Sequence, residues 1–170
     1  MSKPQTITGG IISRIRRNHA LEHATLQVLA TRTHSMLAGY SDPAGFWVVG
    51  SVSTEELQTA AEEALTRLKA GEYALAIHPN CGTNFAVSGI AAGALGWLGM
   101  LGDTQGARKK LDRLPTVIWL VTIGLILAAP LGPLLQARVT TQAQVGNLAI
   151  KAVVRYPRRI VTLQRVLTKG

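Results

Sequence analysis

The chain has 170 residues, a net charge of +9 and 47% hydrophobic residues. This length allows one modest hydrophobic core, or a smaller core with a membrane segment, and it excludes several independent domains. The single cysteine, Cys81, excludes an internal disulfide framework.

The positive charge is concentrated in the second half of the chain. Residues 1–84 contain seven Lys or Arg and seven Asp or Glu, so the excess of +9 lies later. No acidic residue follows Asp112, whereas eight basic residues do. Because these residues flank apolar segments rather than a nucleic-acid-binding motif, we expect them to contact anionic lipid headgroups, and we expect no nucleic-acid partner.

The first predicted element is a helix over residues 11–31. On a helical wheel, two histidines fall within its apolar stripe, which consists of Ile12, Ile15, His19, His23, Leu26 and Ala30. Residues 34–40 and 46–50 are predicted to form two short strands, joined by a turn that contains Pro43 and Gly45.

A second helix is predicted over residues 57–70. Ser53 and Glu56 have the spacing of a capping box before it, and Gly71 fits the cap at its end. Residues 72–78 are then predicted to form a further strand.

Two long apolar segments follow, over residues 85–101 and 114–135. They have 17 and 22 uncharged residues, which as helices are about 26 and 33 Å long, enough to cross the hydrocarbon core of a bilayer. We therefore predict a transmembrane hairpin, with a buried hairpin of a soluble protein as the alternative. Its helices are expected to meet along a small-residue face, which consists of Gly89, Gly93, Gly96, Gly99 and Gly102.

Residues 148–156 and 160–167 are rich in Val and Ile and are interrupted by Pro157. We predict two strands that rejoin the water-facing domain; the alternative is an amphipathic basic helix on the membrane surface. The predicted fold is therefore α+β. Residues 1–84 form the water-facing domain, which has two helices and, with the C-terminal strands, three to five strands. Residues 85–135 form the membrane hairpin, and residues 136–170 form the basic tail.

The sharpest local motif is H-x-x-E-H, formed by His19, Glu22 and His23 on the first predicted helix. The i, i+4 spacing places both imidazoles on one face, where they could bind one metal ion, and Glu22 could accept a proton from a water at that ion. The alternative is that both histidines are hydrogen-bonded core residues and that Glu22 pairs with Arg14 or Arg17.

A second cluster precedes the first apolar segment and contains His78 and Cys81. Imidazole and thiolate are good zinc donors, so His19 and His23 with one of these two residues would leave a coordination position open, and all four would close it. Outer-shell partners are expected among Glu62, Glu63, Asn80 and Asn84. The alternative is that this cluster is only a tight turn.

The H-x-x-E-H motif resembles that of the inverted-zincin metallopeptidases. The resemblance implies that His19 and His23 bind zinc, that Glu22 is the general base, and that Glu62 or Glu63 is a possible third ligand. The match covers five residues, and the domain here is far smaller than those peptidases.

Over most of its length the chain is similar to an uncharacterised family of small bacterial membrane proteins. The shared motifs are Asn18-His19-Ala20-Leu21-Glu22-His23-Ala24-Thr25 and His78-Pro79-Asn80-Cys81-Gly82-Thr83-Asn84. The resemblance implies a multi-pass protein of the bacterial inner membrane and favours the two clusters as one site. The lone cysteine and the basic tail favour cytoplasmic termini.

The leading functional hypothesis is an integral membrane metalloprotein, with zinc as the expected metal, and a hydrolase at the membrane surface is one activity it could have. The first alternative is a non-catalytic subunit or assembly factor of a membrane complex, which would contact other subunits through the glycine-rich segment. The second is a lipid-surface adaptor that acts through the basic tail. The residues alone identify neither a reaction nor a substrate.

Overall fold

The computed structural model describes residues 10–33, 35–102, 106–156 and 162–170. These residues divide into two compact units. The first runs up to His78 and resumes at Gln136, and the second is Pro79–Leu135.

The first unit contains a four-stranded antiparallel sheet with strand order β1-β2-β4-β3. The strands are β1 (Ala38–Asp42), β2 (Gly45–Val49), β3 (Ala149–Tyr156) and β4 (Leu163–Lys169). The α+β fold is thus confirmed, and so is the return of the C-terminal strands to the sheet. The predicted contributions of His34, Pro157 and Ile160 lie outside the described residues.

The β1–β2 hairpin turns at Pro43 and Ala44. The Asp42 carboxylate accepts a hydrogen bond from the Ala44 N–H at 2.7 Å, as expected for an aspartate that starts a turn. Gly45 follows, with a φ of +148°, and a Cβ there would lie 1.9 Å from the Val166 carbonyl oxygen on β4. Glycine at this position therefore permits both the turn and the approach of the neighbouring strand.

Two helices contribute to the core of the first unit, α1 (Ile11–Ala30) and α2 (Thr54–Lys69). The capping box is present, because the Ser53 hydroxyl accepts from the Glu56 N–H and the Glu56 carboxylate accepts from the Ser53 N–H. Gly71, with a φ of +99°, ends α2 as predicted. The core consists mainly of Leu21, Leu29, Leu57, Leu68, Phe46, Val48, Leu148 and Val166.

The apolar stripe predicted on α1 is only partly correct. Ile12 is 75% exposed, and Ala30 is also exposed. The most buried part of α1 lies between Arg17 and Leu29 and includes polar side chains. The helix is packed against the sheet, α2 and the segment that follows α2, so burial is not confined to one stripe.

The strand predicted over residues 72–78 is wrong. The segment forms a 3-10 turn, Tyr73–Ala76. Three consecutive carbonyls accept hydrogen bonds from side chains of α1: Gln27 donates to Leu75 and Ile77, and the ring of His23 bonds to Ala76. Because these side chains use the carbonyl groups that a strand would offer to a neighbour, the segment packs on α1 instead.

The second unit contains the helices α3 (Gly82–Gly99), α4 (Ala107–Asp112), α5 (Leu114–Ala128) and α6 (Leu131–Leu135). Within the described ranges, one helical segment is long and apolar enough to cross a membrane by length and composition; it consists of α4 and α5 taken together, Ala107–Ala128, and 11% of its apolar window is buried. It begins before the predicted residue 114 and ends before Pro130, which lacks the N–H needed to continue a helix. Glycine-rich α3 does not meet the same criterion, so of the two predicted membrane spans only the second is supported by length and composition.

The helices α3 and α5 pack antiparallel through glycines. A Cβ on Gly96, Gly99 or Gly124 would lie 3.0–3.1 Å from the other helix, at Val121, Val117 and Ala91 respectively. By contrast, a Cβ on Gly89 or Gly93 would meet none of the described residues within 4 Å. The predicted close approach is therefore found at the C-terminal half of α3, not at its Gly89 and Gly93 pair.

Candidate metal centre

Helix α1 places the two histidines of the H-x-x-E-H motif side by side. Their ring centroids are 4.2 Å apart, at an interplanar angle of 61°. His23 is 2% exposed and His19 is half-buried. A ring nitrogen of each lies within 4.8 Å of the other, so the i, i+4 spacing produces the proximity that a shared ion requires.

Both rings are oriented by backbone carbonyls of the first unit. His23 Nδ1 lies 2.8 Å from the Ala76 oxygen, and His19 Nδ1 lies 3.0 Å from the Thr140 oxygen. A carbonyl oxygen only accepts, so Nδ1 of each neutral ring is assigned the proton and Nε2 the lone pair. This is the arrangement in which an imidazole binds a metal through Nε2, with its other nitrogen held by an outer-shell acceptor.

A third histidine of the first unit approaches this pair. The centroid of the His78 ring lies 5.6 Å from that of His23. Gln136, which is fully buried, accepts a hydrogen bond from the His78 N–H at 2.9 Å and donates to the His78 carbonyl at 3.1 Å. The structure thus places the His78 ring beside that of His23 and holds the His78 backbone by a buried amide.

Cys81 belongs to the second unit, where it is the N-cap residue of α3. Its Sγ accepts from the Thr83 N–H at 3.5 Å. Nearby, the Asn84 side chain donates to the Pro79 carbonyl at 2.6 Å. Cys81 follows His78 by three residues, and this connection limits the distance between the two Cα atoms to about 11 Å.

Glu22 is buried against the sheet. It is 4% exposed and accepts a hydrogen bond from the Ser41 hydroxyl on β1. A Cβ on Gly39 would lie 2.2 Å from Glu22 Oε1. The carboxylate therefore occupies space left open by a glycine. The described hydrogen bond of this carboxylate comes from a serine.

Glu62 and Glu63 lie on α2 and have other partners. Glu63 forms ion pairs with Arg32 and Arg67, and Glu62 accepts a hydrogen bond from Gln58 at 3.0 Å. These contacts engage both carboxylates on the exposed part of α2.

The N-terminal half of α1, which precedes the two histidines in the sequence, carries positive charge. Arg17 is 1% exposed and donates to the Val145 carbonyl at 3.3 Å and to the Asn147 side chain at 3.1 Å. Burial, with a smaller contribution from Arg14, lowers the pKa of Arg17. An arginine still remains cationic at neutral pH.

A family model described as "Domain of unknown function (DUF6391)" matches residues 14–153. The chain belongs to this family. An uncharacterized protein of Picosynechococcus sp. is 43% identical over 99 residues, covering 49% of this chain and 48% of the relative. The chain therefore spans about half the length of that relative. No solved structure matches the chain significantly.

These matches confirm the expectation of an uncharacterised family with bacterial members. The region matched by the DUF6391 model includes His19, Glu22, His23, His78 and Cys81. The matches do not test the two motifs or the resemblance to inverted zincins, which remain predictions.

The sequence analysis missed the residues that position the histidines. These are Gln136, Gln27 and the carbonyls of Ala76 and Thr140. Backbone carbonyls leave no signal in a sequence. A glutamine at the end of an apolar segment was a weak signal, since a buried amide needs hydrogen-bond partners.

Proposed function

We propose that this DUF6391 family member is a membrane-anchored metalloprotein that binds zinc. The observation that carries the proposal is the His19 and His23 pair, with rings 4.2 Å apart and each Nδ1 on a backbone carbonyl. Two Nε2 lone pairs on one helix face suit a tetrahedral ion with nitrogen donors. His78, whose ring is near that of His23, is the third donor.

Cys81 is the proposed fourth ligand. A thiolate is a preferred zinc donor, and the short connection from His78 keeps this residue within reach of the site. Four protein ligands would make the ion structural, whereas three would leave a position for water or substrate. The identity of the fourth ligand therefore distinguishes the two forms of the proposal.

In the catalytic form, the protein is a hydrolase and Glu22 is its general base. Zinc would supply a Lewis acid that makes water a better nucleophile near neutral pH. Glu22 would take a proton from the attacking water, and Ser41 would orient the carboxylate by its hydrogen bond.

The non-catalytic alternative rests on the same carboxylate. Glu22 contacts β1 through Ser41 and fills the space above Gly39, as a structural residue would. In this alternative the protein is a subunit or assembly factor of a membrane complex, with a structural ion. Gly89 and Gly93, whose Cβ positions meet none of the described residues within 4 Å, are the proposed contact with another subunit.

We further propose that α3 and α5 cross the bilayer as a hairpin, with both termini in the cytoplasm and the protein in the bacterial inner membrane. Large apolar side chains that are 62–73% exposed support this placement; they are Phe85, Ile90, Trp97, Ile118, Trp119, Ile126 and Leu127. Such a surface is costly in water and favourable in lipid. The glycine contacts of α3 with α5 suit the close packing of membrane helices.

The decisive experiment measures the metal content of detergent-purified protein. Wild type is compared with His23→Ala, with Cys81→Ala, and with His34→Ala as a control that removes a histidine of no assigned role. We expect about one zinc per chain in wild type and in His34→Ala, and a loss in His23→Ala. Absence of metal from wild type after reconstitution with zinc would refute the proposal.

Cobalt substitution then separates the two forms. A thiolate ligand gives a charge-transfer absorption in the near ultraviolet, which Cys81→Ala would abolish if Cys81 binds the ion. The catalytic form would be supported if wild type hydrolyses substrates at the membrane surface and Glu22→Gln loses this activity while it retains the metal. Retention of both metal and assembly in Glu22→Gln, with no turnover in wild type, would support the non-catalytic form.

A further inference from the structure

The first unit contains a cavity of about 320 Å³ that the proposed metal site does not use. Its wall includes Ala76, whose carbonyl holds His23, and Thr141, which follows the carbonyl that holds His19. The volume is at the lower end of small-molecule sites. Its polar lining consists of Arg16, Tyr73, Thr141, Gln142 and Gln144.

Arg16 gives this cavity its charge. One terminal nitrogen of the guanidinium donates to the carbonyls of Arg138 and Thr141, both at 3.0 Å, which fixes the group in place. Arg16 itself lines the cavity, and the described lining residues include no Asp or Glu. A cation held in place beside a cavity whose described lining has no neutralising carboxylate favours an anionic ligand.

Further donors line the same space. The Gln142 side-chain carbonyl accepts from the Ser13 hydroxyl at 2.9 Å, which leaves its NH2 group to donate to a ligand. Tyr73, whose phenol group can donate a hydrogen bond, also lines the cavity. Together with Arg16, these groups offer more donors than the two oxygens of a carboxylate require. A phosphate group, with three or more acceptor oxygens, matches them better.

We propose that this cavity binds the phosphate group of a small ligand through Arg16, Gln142 and Tyr73. The group could belong to a lipid headgroup or to a soluble phosphate compound, since both present the same oxyanion. This proposal does not depend on a bound metal, so the two can fail separately.

The test is calorimetric titration of full-length protein in detergent, at constant ionic strength, with and without zinc. The probes are inorganic phosphate and short-chain dihexanoyl phosphatidylglycerol. Arg16→Gln removes the cation, and Ala137→Phe fills the cavity from an exposed position while it retains every donor. Ala70→Phe, at the exposed end of α2, is the matched control.

We expect at least one probe to bind to wild type and to Ala70→Phe, and binding to weaken about tenfold or more in Arg16→Gln and Ala137→Phe, because a charge-assisted hydrogen bond is lost or blocked. Arg16 also holds two carbonyls, so if its substitution unfolds the protein, Ala137→Phe alone decides the question. Binding of only one probe identifies the source of the phosphate. Failure of both probes to bind, or binding that Ala137→Phe leaves unchanged, would overturn the proposal.

Discussion

The contact between Glu22 and Gly39 allows a sharp test of how α1 is placed on the sheet. A Cβ at position 39 would lie 2.2 Å from Glu22 Oε1 and 2.6 Å from its Cδ. On a protein surface, a glutamate side chain would rotate into solvent and avoid the added Cβ. Here the side chain is 4% exposed and bound by Ser41, so it can move only by breaking that hydrogen bond within a packed interior.

The cost of Gly39→Ala follows from these two effects. Overpacking of an interior costs about 1–3 kcal/mol, and a hydrogen bond to a charged group contributes about 1.5–3 kcal/mol. The two costs are alternatives and do not add, because a movement of Glu22 that removes the clash also breaks its hydrogen bond to Ser41. We therefore expect Gly39→Ala to lower the free energy of unfolding by about 1–3 kcal/mol. In a Glu22→Ala background the obstacle is gone, and the same substitution should cost less than about 0.5 kcal/mol.

The assay is urea unfolding in detergent, followed by the fluorescence of Trp47 on β2. Trp97 and Trp119 are replaced by Phe in every variant, so that the fluorescence signal comes from Trp47 in the sheet alone. The double-mutant cycle compares wild type, each single variant and the double variant. A penalty for Gly39→Ala that is as large in the Glu22→Ala background as in wild type would refute the placement of Glu22 over Gly39.

Two further predictions concern α2 and the second unit. Ser53→Ala should lower the free energy of unfolding by about 1 kcal/mol through loss of the N-cap. It should also raise the pKa of Glu56, which the backbone and side-chain hydrogen bonds of Ser53 hold below its ordinary value, as measured by NMR titration. Because that pKa is lowered in the folded state, the contribution of Glu56 to stability is present above about pH 4.5 and is lost as the pH falls through the lowered pKa. Ser53→Ala should weaken this dependence without removing it, because the substitution keeps the Ser53 N–H, whose hydrogen bond is the larger cause of the lowered pKa. Gly99→Leu should lower the melting temperature in detergent, because Val117 lies 3.0 Å from its Cβ position. Gly93→Leu should leave the melting temperature nearly unchanged, because the Cβ position of Gly93 meets none of the described residues within 4 Å.

Local signals account for the parts of the fold that could be predicted. The capping box at Ser53 and the glycine at position 71 are decided by residues within a few positions of each other, and both are present. The hairpin turn and the β-rich C-terminal segments are of the same kind. In each case the backbone groups find their partners nearby, so that composition and spacing are sufficient.

Long-range contacts account for the parts that could not be predicted. Residues 72–78 have the composition of a strand, but Gln27 and His23, about 50 residues earlier, bond to their carbonyls. Likewise, the Gly89 and Gly93 spacing is as good a helix-packing motif as any in α3, yet α5 contacts Gly96 and Gly99 instead. Intrinsic preference does not identify which of several equivalent surfaces a partner will use.

The H-x-x-E-H motif divides its three side chains between two parts of the first unit. His19 and His23 bond to the carbonyls of Thr140 and Ala76, whereas Glu22 contacts β1 through Ser41. Glu22→Gln keeps the size of the side chain and its ability to accept from Ser41, but it removes the capacity to take a proton. If Glu22 is a general base, this variant should lose turnover while it retains both zinc and stability. If Glu22 instead anchors α1 to the sheet, Glu22→Gln should be nearly neutral and only Glu22→Ala should destabilise the fold. Comparison of these two variants therefore separates chemistry from architecture at one residue.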